Sequence, residues 1–168
     1  MKTKRGLSPV VAIILLIAVT VIAVTMIFAF VRPWIQDMLS DKGSCFQTMG
    51  EVNLVAEIGS VESCYDEENG EAVVIVKRGS SDAFELKGFV IALDLEGESK
   101  SFEIIDGQNN SEIKKYNGEY GEQLSIPGRG EAITYVIKSV LASKARIAPI
   151  LKSGVTCSET DDIELILC

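Results

Sequence analysis

Histidine is missing from this 168-residue chain, and tryptophan occurs once, as Trp34. Without histidine, neither a Ser/His/Asp nor a Cys/His catalytic constellation can form. The cysteines at 45, 64, 157 and 168 include no CxxC pair, so the ligand spacing of a zinc site is lacking too. No GxxxxGK phosphate loop occurs, and the glycines of Gly128-Arg129-Gly130 read as a turn. The sequence therefore predicts no enzyme, no catalytic residue, no metal and no cofactor. Charge is also unevenly missing: from Leu7 to Val31 there is no Asp, Glu, Lys or Arg. The chain as a whole carries −8, which repels nucleic acid, and none is expected as a partner. Lys138, Lys144, Arg146 and Lys152 are the residues from which a local basic patch would have to be built.

The uncharged stretch is long. As a helix it measures about 37 Å at about 1.5 Å per residue, enough to cross a hydrocarbon core of about 30 Å. A secretory signal has a shorter apolar region, followed by a small-x-small cut before polar sequence. Here Ala18, Ala23 and Ala29 lie inside the apolar run, and Arg32-Pro33 follow it. A membrane span is the better reading. Lys2, Lys4 and Arg5 precede it and Asp37 and Asp41 follow, so the positive-inside bias places the N-terminus in the cytoplasm and the rest outside. Ser8-Pro9 is a helix start, a hydroxyl acceptor ahead of a residue that needs no partner for an N–H. Beyond it Val, Ile, Leu and Ala occupy every face, interrupted by Thr20 and Thr25. A helix apolar all round must be covered on all sides, by lipid or by other apolar helices. Pro33 predicts a kink or break, an amphipathic continuation carries Trp34, Ile35, Met38 and Leu39 to about Ser40, and Gly43 ends it.

The order Lys4-Arg5-Gly6-Leu7-Ser8-Pro9-Val10-Val11-Ala12, followed by an Ile/Leu/Val/Ala run, resembles the N-terminal signature of archaeal type IV pilins. Members of that family carry a class III signal peptide, cut by a membrane-embedded prepilin peptidase after the small residue that follows the basic pair. The resemblance implies recognition of Lys4, Arg5 and Gly6 and a processing site between Gly6 and Leu7, with the helix kept in the mature chain. It covers roughly residues 4 to 31. It further implies a filament core built from Pro9, Val10, Val11, Ile13, Ile14, Leu15, Leu16, Ile17, Val21, Ile22, Val24, Ile27, Phe28 and Phe30. In the bacterial branch the fifth mature residue is characteristically glutamate; here it is Val11, so subunit registration would rest on packing. Archaellins are less similar at SPVVA. The partners implied are other copies of the chain in a helical homopolymer, the peptidase with its assembly machinery, and the membrane. The precursor would sit in the cytoplasmic membrane and the product in a cell-surface filament serving adhesion. Rival readings are a single-pass anchored extracellular binding domain and a minor pilin or archaellin-like subunit. Loss of Lys2, Lys4 and Arg5 on processing would take the charge from −8 to −11.

The fold class expected is α+β. Residues 1–6 are the signal peptide, 7–44 the hydrophobic helix, and 45–168 an extracellular, β-rich, sandwich-like head. β-Branched and alternating stretches predict strands over 52–58, 71–77, 84–95, 99–105, 133–140, 146–151 and 162–167. Phe84 and Leu86, like Phe102 and Ile104, would mark buried faces. Turns are signalled by Asn69-Gly70, Asn117-Gly118 and Pro127-Gly128. Four cysteines allow three disulfide pairings; Cys45 with Cys64 and Cys157 with Cys168 is the expected one, because each closes a short segment. Asn109-Asn110-Ser111 matches the N-glycosylation pattern and makes Asn109 a candidate acceptor in a surface loop. Asp66-Glu67-Glu68 and Glu159, Asp161, Asp162, Glu164 lack the spacing of a calcium loop and read as solvated acidic surface.

Overall fold

The computed structural model describes residues 9–95, 97–138 and 141–168, with backbone alone at 9 and 33–44. The chain divides into two units, Met1–Asp41 and Lys42–Cys168.

One helix, α1 (Pro9–Phe46), opens the described chain. It starts at the proline, as the missing N–H permits. Thr20 and Thr25 do not disturb it, because each hydroxyl donates back within the helix, Thr20 to the Ile17 carbonyl at 2.9 Å and Thr25 to that of Ile22 at 2.9 Å. The helix assignment runs unbroken through Arg32-Pro33 and Gly43, contrary to the break and stop expected there. Pro33 removes one donor from a long ladder, whose other bonds remain. The stop comes later: the Thr48 N–H and hydroxyl both donate to the Cys45 carbonyl, at 3.1 and 2.7 Å, and Gly50 turns the chain with φ of 75°. Thr48 is fully buried, so its hydroxyl needs that partner.

Strands dominate the second unit, which is α+β together with the helix. Its first sheet contains β1 (Val52–Val55), β4 (Cys64–Asp66), β5 (Glu71–Arg78), β8 (Ile113–Lys115), β9 (Ala132–Lys138) and β12 (Ile166–Leu167). The order is β12-β4-β5-β9-β8, with β1 also on β5; only β12 on β4 is parallel. Between β1 and β4 lies a small hairpin of β2 (Glu57–Ile58) and β3 (Val61–Glu62). The second sheet is antiparallel, in the order β11 (Asp161–Glu164), β10 (Ala142–Leu151), β6 (Leu86–Leu95), β7 (Glu98–Ile105). Each of the seven expected stretches contains strand. The first and last are split, into β1 with β2 and β11 with β12, whereas β3, β4 and β8 were not anticipated.

Both sheets feed one core. Phe89, Ile91 and Leu93 of β6, Ile104 of β7 and Ile147 of β10 meet Val52, Val74, Val76, Tyr135 and Ile137 of the first sheet, all fully buried. Phe89 packs edge-to-face on Tyr135, with centroids 5.6 Å apart, an arrangement that suits the ring quadrupoles. The Tyr135 hydroxyl donates to the Ser125 carbonyl at 2.6 Å, and burial holds its phenol well above the usual tyrosine range. Phe84, Phe102 and Ile104 are buried as expected, although Phe84 lies ahead of β6, and Leu86 is only half-buried. Gly88 is a required glycine, since a Cβ there would collide with the Ile104 carbonyl oxygen.

The disulfides join Cys45 to Cys157 and Cys64 to Cys168, and all four cysteines are bonded. This corrects the local pairing expected from sequence. Strand pairing explains it: β12 lies parallel on β4 with Ile166 opposite Cys64, which brings residue 168 to Cys64 across a separation of 104. The other bond spans 112 residues and fastens the last turn of α1 to the loop after β10, where the Cys157 N–H donates to the Pro149 carbonyl.

Candidate assembly helix and head surface

Helix α1 presents its apolar side chains outward. Val10, Val11, Ile13, Ile14, Leu15, Leu16, Ile17, Val21, Ile22, Val24, Ile27, Phe28 and Phe30 are all exposed, from 42% at Val11 to 79% at Phe30. Pro9 is the first residue of the helix. From Val10 to Arg32 the helix is long and apolar enough to span a bilayer, and nothing in the described chain buries it. Each such side chain contributes about 1.5–3 kcal/mol when moved from water to an apolar environment, so covering the set is worth tens of kcal/mol. The expected processing and recognition residues Lys4, Arg5, Gly6 and Leu7 lie outside the described residues.

The head surface is mostly self-satisfied. The cations named as a possible basic patch are engaged with acids: Lys144 with Asp162 at 2.6 Å, Arg146 with Asp94 and Glu159 at 2.6 Å each, and Lys152 with Glu85 at 2.7 Å. These bonds hold the Asp94 and Glu85 carboxyls below the usual carboxylate range. Lys138 sits 4.0 Å from the Tyr120 ring centroid instead. The acidic runs also have structural work. The Asp66 carboxylate accepts from the Glu68 and Asn69 N–H groups and the Asn69 side chain, which lowers its pKa and closes the turn before β5. Asp161 accepts the Leu54 N–H at 2.8 Å. Among the described residues, no three His, Cys, Asp or Glu side chains converge as metal ligands.

Comparison with protein-family models, with curated proteins and with solved structures returns no match to this chain.

Asn109 is exposed in the segment between β7 and β8. Its Nδ2 donates to the Gly121 carbonyl at 2.9 Å. A glycan at that nitrogen must therefore take the amide hydrogen that this bond does not use. The sequence reading overlooked one cluster. Glu71 Oε1 accepts the Tyr120 hydroxyl at 2.6 Å and Lys114 Nζ at 3.2 Å, and Lys114 lies 4.5 Å from the Tyr120 centroid. Burial, with Glu71 beside it, pushes the Tyr120 phenol far up, so the group stays a neutral donor. Its members come from β5, β8 and the following loop. No local spacing signals them.

Proposed function

We propose that the chain is a pilin-like structural subunit of a cell-surface filament. In this reading a prepilin peptidase cuts between Gly6 and Leu7, the helix holds the precursor in the cytoplasmic membrane with its N-terminus inside, and assembly transfers the helix from lipid to the filament core. The head, with its two sheets packed in sandwich fashion, faces outward and serves adhesion. One observation carries the reading: from Val10 to Arg32 every described face of α1 is apolar and uncovered. Lipid covers such a surface in the membrane, and equivalent helices of neighbouring copies cover it in a polymer, so transfer between the two never exposes it to water. A head-to-tail contact that does not close into a ring generates such a helical polymer.

The test joins processing to assembly. Gly6→Ile puts a bulky side chain at the cut, and full-length precursor should accumulate in membranes while filaments disappear. Intact mass of the native protein, from membranes and from sheared filaments, should give a chain beginning at Leu7. Filaments formed normally by the Gly6→Ile chain, or native protein that retains Met1, would favour a plain single-pass anchor carrying an external binding domain.

A further inference from the structure

The outer face of the first sheet carries a trough lined by both apolar and charged side chains. Cross-strand partners in a sheet share a face. Cys64 lies opposite Val73, Val73 opposite Val136, and Val136 opposite Lys114, so these four form one row across β4, β5, β9 and β8. The row is turned away from the core, to which Ala72 and Val74 on the other face of β5 belong. A second row, Asp66, Glu71 and Lys138, runs beside it. On its other side β3 lies against β5, and Ile75, two residues along from Val73, is 1% exposed there.

The resulting trough has an apolar floor at the half-buried Val73, with Val136 beside it only 3% exposed, a wall from the β2–β3 hairpin at Ser60, Val61 and Glu62, and a charged wall at Asp66 and Glu71. Its volume is ≈ 400 Å³, within the range of about 300–1,000 Å³ typical of small-ligand sites. Val61 and Tyr116 also line a second hollow of ≈ 580 Å³, and the Tyr116 ring they share is 51% exposed.

We propose that this trough binds a neutral glycan segment, one sugar ring seated over Val73 and a further ring against Tyr116. A pyranose has an apolar C–H face and a rim of hydroxyls. The floor and the Tyr116 ring match the first, and carboxylates on facing walls accept from the second. Glu62 is exposed, Glu71 uses Oε1 for Lys114 and Tyr120 while Oε2 has no partner among the described residues, and Asp66 retains lone-pair capacity beyond its turn bonds. An anionic ligand is disfavoured by three carboxylates against one lysine that Glu71 already engages. The proposal deepens the adhesion part of the function given above and rests on it.

The test is calorimetric titration of the full-length chain in detergent with neutral hexasaccharides of glucose, galactose and mannose. At least one should bind. Tyr116→Ala should weaken it at least about tenfold, Glu62→Gln should weaken it less, and Lys152→Ala, beyond the end of β10, should leave it unchanged. Unchanged circular dichroism identifies variants that remain folded. The proposal is overturned if none of the three sugars binds, if the folded Tyr116→Ala and Glu62→Gln chains bind as the parent does, or if a sulfated hexasaccharide binds better than every neutral one. Sugar binding and filament formation fail separately: filaments that ignore all three sugars sink this site alone, and sugar binding by a chain that never assembles sinks the filament.

Discussion

The helix and the head draw on the same apolar residue types and put them to opposite use. In α1, Ile13 is 60% and Phe28 65% exposed, whereas in the head Phe89, Ile91 and Leu93 are fully buried. Periodicity makes the difference. The head alternates, so a strand such as β7 turns Phe102 and Ile104 inward and Ser101 and Glu103 outward, and two sheets suffice to satisfy each other. The helix has no polar face to turn to solvent, and from Val10 to Arg32 it is unburied among the described residues. The head thus buries its own apolar residues, whereas the helix leaves its apolar residues exposed, which is why the functional reading rests on the helix.

The largest expected effect comes from opening the disulfide that fastens the end of α1 to the head. Replacing Cys45 and Cys157 together with serine releases a constraint across 112 residues, and chain entropy predicts a loss of about 2–5 kcal/mol in head stability. Urea unfolding followed by circular dichroism measures it; an unchanged midpoint would mean that the head does not depend on this staple. Non-reducing peptide mapping should link the peptide containing Cys45 to that containing Cys157.

Val21→Asp tests the other half of the contrast. At the middle of the apolar span an aspartate costs about 2.5–3.5 kcal/mol on insertion, yet Val21 is exposed and belongs to no buried cluster. The variant should leave the membrane fraction while its head resists proteolysis as before. Retention in the membrane at parental levels would contradict the span.

Acid should act on the head, and only weakly. The Asp94 carboxyl is held below its ordinary range by Arg146, and Glu85 by Lys152. A carboxyl whose folded pKa is depressed stabilises fully above its unfolded pKa and loses that contribution as pH falls through the folded value. Head stability should therefore decline below about pH 4, and only slightly, because solvent screens each of these surface pairs. Arg146→Met should flatten the decline; an identical acid profile in that variant would remove the pair from the account.

Much of this architecture is legible before folding. The uncharged run defines the helix, and strands occur in each of the seven predicted stretches because five or more residues of clear alternation or β-branching outweigh local noise. The short strands escape for the opposite reason. β3, β4 and β8 are two or three residues long, too short for a periodicity, and they exist because longer neighbours supply their hydrogen bonds. The trough on the first sheet is invisible in sequence on the same ground, since Cys64, Val73, Lys114 and Val136 become neighbours only through strand register.

Sequence alone determined what is local: an apolar helix, an acidic β-rich segment after it, and the turns at Asn69-Gly70 and Asn117-Gly118. Tertiary structure decided what is distant. Short loops favoured Cys45 with Cys64 and Cys157 with Cys168, because proximity along the chain was the only distance available. The parallel docking of β12 on β4 and the placement of Cys157 beside the end of α1 overruled that, since a disulfide forms between sulfurs that the fold brings into contact, whatever the length of chain between them.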